Sequence, residues 1–143
     1  MAQFNIIGRD ARRRIAIGEM TLGSHNLKMA LMKDDFIFNF GTHYLFGQVE
    51  SEEHPAVNGY AAGGNLMDVT SITADPSTGI TSILWNPVSW TASGGDIGPV
   101  GGAVIYNDSI GDRPILGFID FGQSYTQADG GLLLVIGTAL NIQ

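Results

Sequence analysis

Glycine and proline interrupt this chain so often that no long helix fits between them. Twenty Gly and five Pro are spread over 143 residues. Each frees the backbone or removes a hydrogen-bond donor, so the intervening segments suit short strands and turns. The spacing is too even for a collagen repeat or a linker. An all-β domain is the expectation. With 44% hydrophobic and 15% charged residues, the composition is far from that of disordered chains, and a chain of this length buries roughly 70% of its unfolded surface. It is expected to fold unaided. The absence of Cys excludes a disulfide scaffold and suits either a cytosolic origin or a particle that meets any redox environment. No run approaches the ~20 apolar residues of a membrane helix. The longest, Leu132–Ile136, reads as a buried strand. Met1–Ile7 lacks a basic region followed by an apolar core, so no secretory leader is expected.

Along the chain, Asp10 is placed to cap a short helix over Ala11–Ile17, with Gly18 to stop it, and Ile7, Ala11, Ile15, Gly18 and Leu22 recur at helical spacing. Arg12 and Arg13 then face away from that stripe. Seven residues do not hold an isolated helix in water, so residues 1–24 read as an arm that docks on its own body or on a neighbour. Residues 25–143 read as one domain. Asn26–Lys33 alternates as a strand. Residues Phe36 to Glu53 have no stable period but carry four Phe and a Tyr, an aromatic excursion of the length usually reserved for function or interfaces.

Leu66–Thr73 and Gly79–Trp85 flank a Pro/Asp turn and read as a hairpin. Val88–Thr91, just after Pro87, reads as a short edge piece. Val100–Tyr106 and Ile115–Phe121 form the strongest hairpin signal, joined by a loop rich in Asn, Asp and Gly. Gln123–Gly131 reads as a polar connection, Leu132–Ile136 as the last strand and Leu140–Gln143 as a tail. Seven or eight short antiparallel strands point to a β-sandwich of jelly-roll or immunoglobulin-like type with a short N-terminal helix.

Charge divides unequally. Residues 1–33 hold Arg9, Arg12, Arg13, Arg14, Lys28 and Lys33 against Asp10 and Glu19, for +4, whereas residues 34–143 hold Arg113 against twelve acids, for −11. An acidic body repels nucleic-acid phosphate and anionic lipid, so neither nucleic acid nor membrane is expected as a partner. The basic segment is free to lie on the acidic surface of an adjacent copy. Candidate partner-binding residues are Arg9, Arg12, Arg13, Arg14 and Ile15 on the arm, and Phe36, Phe38 and Phe40 in the excursion.

Sites for chemistry are sparse. His25, His43 and His54 lack zinc spacing. Ser124 has neither a Gly-x-Ser-x-Gly turn nor a neighbouring base, and Asp120 has no identifiable carboxylate partner. The Gly-Gly pairs are not followed by the Lys-Ser/Thr of a phosphate loop. Asp108, Asp112 and Asp34-Asp35 offer loop carboxylates for calcium, but without EF-hand spacing. Trp85, Trp90, Tyr44, Tyr60 and Tyr125 are available for stacking on sugars, although aromatics in a small sandwich mostly serve the core. No cofactor, metal or catalytic residue is expected.

Four blocks in order carry a resemblance: Gly18–Leu31; Val57-Asn58-Gly59-Tyr60-Ala61-Ala62-Gly63-Gly64 with Val69-Thr70 following; Gly102-Ala103-Val104-Ile105-Tyr106-Asn107-Asp108, with a Trp before it; and Pro114–Gly122 with Ile119-Asp120-Phe121-Gly122. Together, over about residues 18–136, they resemble a family of small virion structural proteins of tailed bacteriophages. The apolar last strand and the basic Arg9–Arg14 depart from the family pattern. The resemblance implies a non-enzymatic capsid decoration, or cement, protein, made in the bacterial cytoplasm and placed on the capsid exterior. Its partner would be the major capsid protein; the charge division and the short helix add a second expected partner, the chain itself, as a homotrimer. The alternative is a tail or fibre module that binds host carbohydrate; a small hydrolase is the other rival.

Overall fold

The computed structural model describes residues 5–136 and 140–142. The chain is all-β with one short helix. In chain order it comprises β1 (Asn5–Ile7), α1 (Arg9–Ala16), β2 (Leu27–Lys33), β3 (Asn65–Met67), β4 (Val69–Ala74), β5 (Thr81–Trp85), β6 (Val88–Thr91), β7 (Ile97–Asn107), β8 (Ile115–Gln127), β9 (Leu132–Val135) and β10 (Leu140–Ile142). Eight strands form one sheet in the order β3-β2-β7-β8-β1-β10-β5-β4, and β6 pairs with β9 in a second, two-stranded sheet. Among the described residues, every strand pairing is antiparallel except β1 with β10.

The two faces of the large sheet carry different cores, because side chains alternate along each strand. Leu27, Met29 and Leu31 of β2, with Ala103 and Ile105 of β7, meet Val88 and Trp90 of β6 and Leu133 and Val135 of β9, so both sheets share one apolar cluster. Ala30, Met32, Val104, Tyr106 and Phe118 point the other way, under Phe46 and Val49 of the excursion. Phe46 stacks on Tyr106 at 4.1 Å between ring centroids. Each fully buried large side chain contributes about 1.5–3 kcal/mol.

Two glycines of the Asn58–Gly64 loop set how closely it approaches the sheets. Gly59 (φ 93°) and Gly64 (φ 76°) take left-handed backbone. A Cβ on Gly59 would run into the Thr91 carbonyl, and one on Gly64 into the Met29 carbonyl. Only a residue without a side chain fits.

Several expectations need correction. Residues 5–24 do not stand apart as an arm but take the docking on their own body that the sequence left open, and residues 1–4 of the expected arm lie outside the described residues. β1 lies inside the large sheet between β8 and β10, Gly8 donates its N–H to the Leu116 carbonyl at 2.9 Å, and Ala11, Met20 and Leu22 are buried in the main core. Residues 5–24 therefore belong to the same body as the rest: an eight-residue helix is stable only when packed, and its own sheet supplies the surface. Asp10 is not the cap either. Gly8 occupies that position, and Asp10 lies within the first turn, where its carboxylate takes Arg13 and Arg14. β8 runs on to Gln127 through what read as a loop, and the segment read as a tail contains β10, deep in sheet order.

Candidate interaction surfaces

Three surfaces hold the residues of interest. The first is the helix. Ala11 is buried and Ile15 packs against the main core, so the arginines occupy the remaining faces. Arg14 is the centre of an ion-pair group, with Asp10 at 2.7 Å, Asp112 at 3.2 Å and Glu19 at 3.3 Å, and Arg13 pairs with Asp10 at 3.0 Å. Partial burial works against ionisation of Asp10, but hydrogen bonds from Arg14 and Arg13 outweigh it and hold the carboxyl below its usual range. The same bond to Asp10 raises the Arg14 guanidinium. The charge division seen along the sequence is thus partly answered inside the fold: Arg14 reaches Asp112, and Lys28 reaches Asp108 at 3.5 Å. Those pairings also use two of the aspartates considered for calcium. Arg9 and Arg12 are exposed and have no ion-pair partner among the described residues.

The second surface is the aromatic excursion, which lies on the opposite face of the sheet. Phe38 stacks on Phe118 of β8 at 5.2 Å, Phe36 meets the same ring edge-on at 5.9 Å, and Phe40 meets Phe38 edge-on at 4.7 Å. His43 stacks on Phe36 at 5.6 Å, and its Nδ1 accepts the Asn39 N–H. The four Phe rings border a groove of about 560 Å³ that also takes in Asp34, Asp120 and Ser124. Ile37 on its rim is 84% exposed. The Ser124 hydroxyl donates to Asp34 at 3.0 Å, and Asp120 accepts the Gly122 N–H at 2.8 Å. Among the described residues, no cation lines the groove. Phe36, Phe38 and Phe40 therefore come together as one wall, while Arg9–Ile15 belong to a separate surface.

The third surface was not legible in the sequence. Leu132–Ile136 read as a buried strand, but β9 belongs to a two-stranded sheet with one covered face. Leu133 and Val135 point into the core, whereas Leu132 (56% exposed), Leu134 (43%) and Ile136 (62%) form an outward row. Phe121, Gln123 and Tyr125 of β8 flank it around a shallow cavity of about 250 Å³. A run of five apolar residues hides the alternation, because both faces are written in the same residue types.

Polar side chains elsewhere act on the fold. Glu53 accepts the Tyr60 hydroxyl at 2.5 Å and the Gly63 N–H at 2.7 Å, and the Tyr60 oxygen accepts the Leu31 N–H at 3.0 Å. Burial raises the Glu53 carboxyl against these bonds, and it also raises the Tyr60 hydroxyl, with Glu53 reinforcing the effect. Tyr106, pushed up to about 12 chiefly by burial, donates to the Gly63 carbonyl at 2.7 Å. The imidazoles are separate. His25 Nδ1 lies 2.9 Å from the Asn107 amide, and the nearly buried His54 accepts the Gly98 N–H at 3.0 Å. His54 therefore supports the fold. Of the aromatics considered for sugar stacking, Trp90 and Tyr60 lie in the core, while Tyr44 and Tyr125 reach the surface. Among the described residues, no three His, Cys, Asp or Glu side chains gather as metal ligands.

No family model, curated protein or solved structure matches the chain.

Proposed function

We propose that this chain is a virion structural protein of a tailed bacteriophage, a decoration protein that binds the outer capsid shell and bridges neighbouring subunits of the major capsid protein. The outward row of β9 carries the reading. Leu132, Leu134 and Ile136 stand in line on an exposed strand beside Tyr125, and a contiguous apolar row on an edge strand is a liability for an isolated protein and an asset under a partner. The four sequence blocks that resemble phage virion proteins support the same assignment. Three copies around a local threefold axis would each bury modest area, and the shell would gain by avidity: releasing one copy requires breaking several contacts together. The role requires surface fit and no turnover.

The test uses shells assembled from major capsid protein alone. The purified chain should co-sediment with them, and the variant carrying Leu132→Lys, Leu134→Lys and Ile136→Lys should stay in the supernatant while keeping its circular dichroism. Failure of the wild-type chain to bind, or its absence from density maps of mature particles, overturns the reading. Specific signal on a glycan array without shell binding would favour the carbohydrate-binding tail or fibre module instead.

A further inference from the structure

We propose that copies of this chain associate head to tail, with helix α1 of one copy seated in the aromatic groove of the next. The inference rests on the self-association part of the function proposed above and identifies the surfaces that would carry it.

Charge is the first argument. Arg13, Arg14, Lys28 and Arg113 are in ion pairs, and Lys33 donates to the Ser51 carbonyl. Arg9 and Arg12 are left without acidic partners among the described residues. They lie three residues apart on an eight-residue helix, hence on one face about 5–6 Å apart. The groove presents the complement. Asp34 and Asp120 line it and the exposed Asp35 follows Asp34 in the chain, and these three form no salt bridge among the described residues.

The groove wall is the second argument. A guanidinium is attracted to the face of an aromatic ring as well as to a carboxylate, and Phe36 and Phe40 stand beside the acids. The fold already uses such a contact, with the Arg113 guanidinium 5.1 Å from the centre of the Phe46 ring.

Topology excludes closure within one chain. The helix packs with the core on one face of the large sheet, and Phe36 and Phe38 pack with the core on the other. The arginines of one copy must therefore seek the groove of another. Because donor and acceptor surfaces differ, the contact is heterologous and closes as a ring or continues as a filament. A threefold ring is the closed form that suits the proposed capsid site.

Sedimentation velocity on the full chain, without shells, tests this. Wild type should show a concentration-dependent oligomer at low salt that dissociates at about 0.5 M salt, where screening is strong. Arg9→Glu with Arg12→Glu should weaken association at least tenfold, as should Asp34→Lys with Asp35→Lys. Mixing the two variants pairs the Arg helix with the Asp groove and the Glu helix with the Lys groove, so alternating mixed oligomers should form, and the fourfold variant should recover the wild-type oligomer. Circular dichroism and melting check that each is folded. Arg9→Ala with Arg12→Ala is the milder second pair and should weaken association in the same direction. A wild type that is monomeric throughout overturns the proposal, as does an oligomer whose mass ignores both charge reversals. A monomeric wild type whose shell binding is lost in Asp34→Lys/Asp35→Lys overturns it too and assigns the groove to a shell segment. Shell binding by the β9 lysine variant is read separately, so failure of head-to-tail association is distinguishable from failure of the decoration role.

Discussion

Arg14 and Asp112, 98 positions apart in the chain, meet at 3.2 Å, and the contact ties the helix to the loop between β7 and β8. The same guanidinium holds Asp10 and Glu19, so one side chain fixes the helix at both of its ends.

Replacing Arg14 with Ala should cost about 1–2 kcal/mol, more than a lone surface pair because three carboxylates lose a common partner. Urea denaturation of wild type and variant measures it. The difference should depend on pH. The Asp10 carboxyl is held below its ordinary value of 3.8 in the folded state, so the native state binds fewer protons there than the unfolded state. The stabilisation is present above pH 3.8 and is lost as pH falls through the lowered folded value. Wild type and Arg14→Ala should therefore converge in strong acid.

The Glu53 and Tyr60 pair should behave with the opposite sign. Tyr60→Phe removes the acceptor of the Leu31 N–H and the donor to Glu53, and leaving buried groups unmatched should cost about 2–3 kcal/mol. Glu53→Gln keeps an oxygen for both donors. Burial raises the Glu53 carboxyl above its ordinary 4.5, so the folded state retains a proton that the unfolded state has released, and stability falls as pH rises from 4.5 through the folded value. Glu53→Gln should lack that decline, gaining on wild type between pH 4 and pH 7 in parallel melting curves.

Gly64→Ala should be far worse than Gly79→Ala. Both glycines have positive φ, which costs Ala about 1 kcal/mol. A Cβ at Gly79 meets open space, whereas at Gly64 it strikes the backbone of β2. Moving a central strand should add at least ~2 kcal/mol, read as a drop in soluble yield and melting temperature.

The sequence was most readable where strands pair with near neighbours. The hairpins β4–β5 and β7–β8 were legible because Pro, Asp, Asn and Gly mark their turns, and β2 because its largely apolar run ends at Asp34-Asp35. β1 and β10 were not, because each is three residues long and their pairing spans nearly the whole chain, beyond any local pattern. Phe36, Phe38 and Phe40 stood out by composition, and the fold gathers them around Phe118. The arginines stood out by charge, yet nothing local distinguishes the one committed to Asp112 from the two left without an ion-pair partner among the described residues. Glu53 sits in an acidic run that gives no hint of burial beneath Tyr60.

The parallel meeting of Ile6 with Asn141 has a bearing on synthesis. In the large sheet, β5 and β4 reach β8 only by way of β10 and β1. On a ribosome, the hairpin of residues 69–85 emerges long before the segment that must weld it to its neighbours. Its edge stays unpaired until residues 140–142 have left the ribosome, so the large sheet is completed only then. Stalling that exposes residue 130 but not residue 142 should leave a nascent chain whose hairpin is open to protease and chaperone alike.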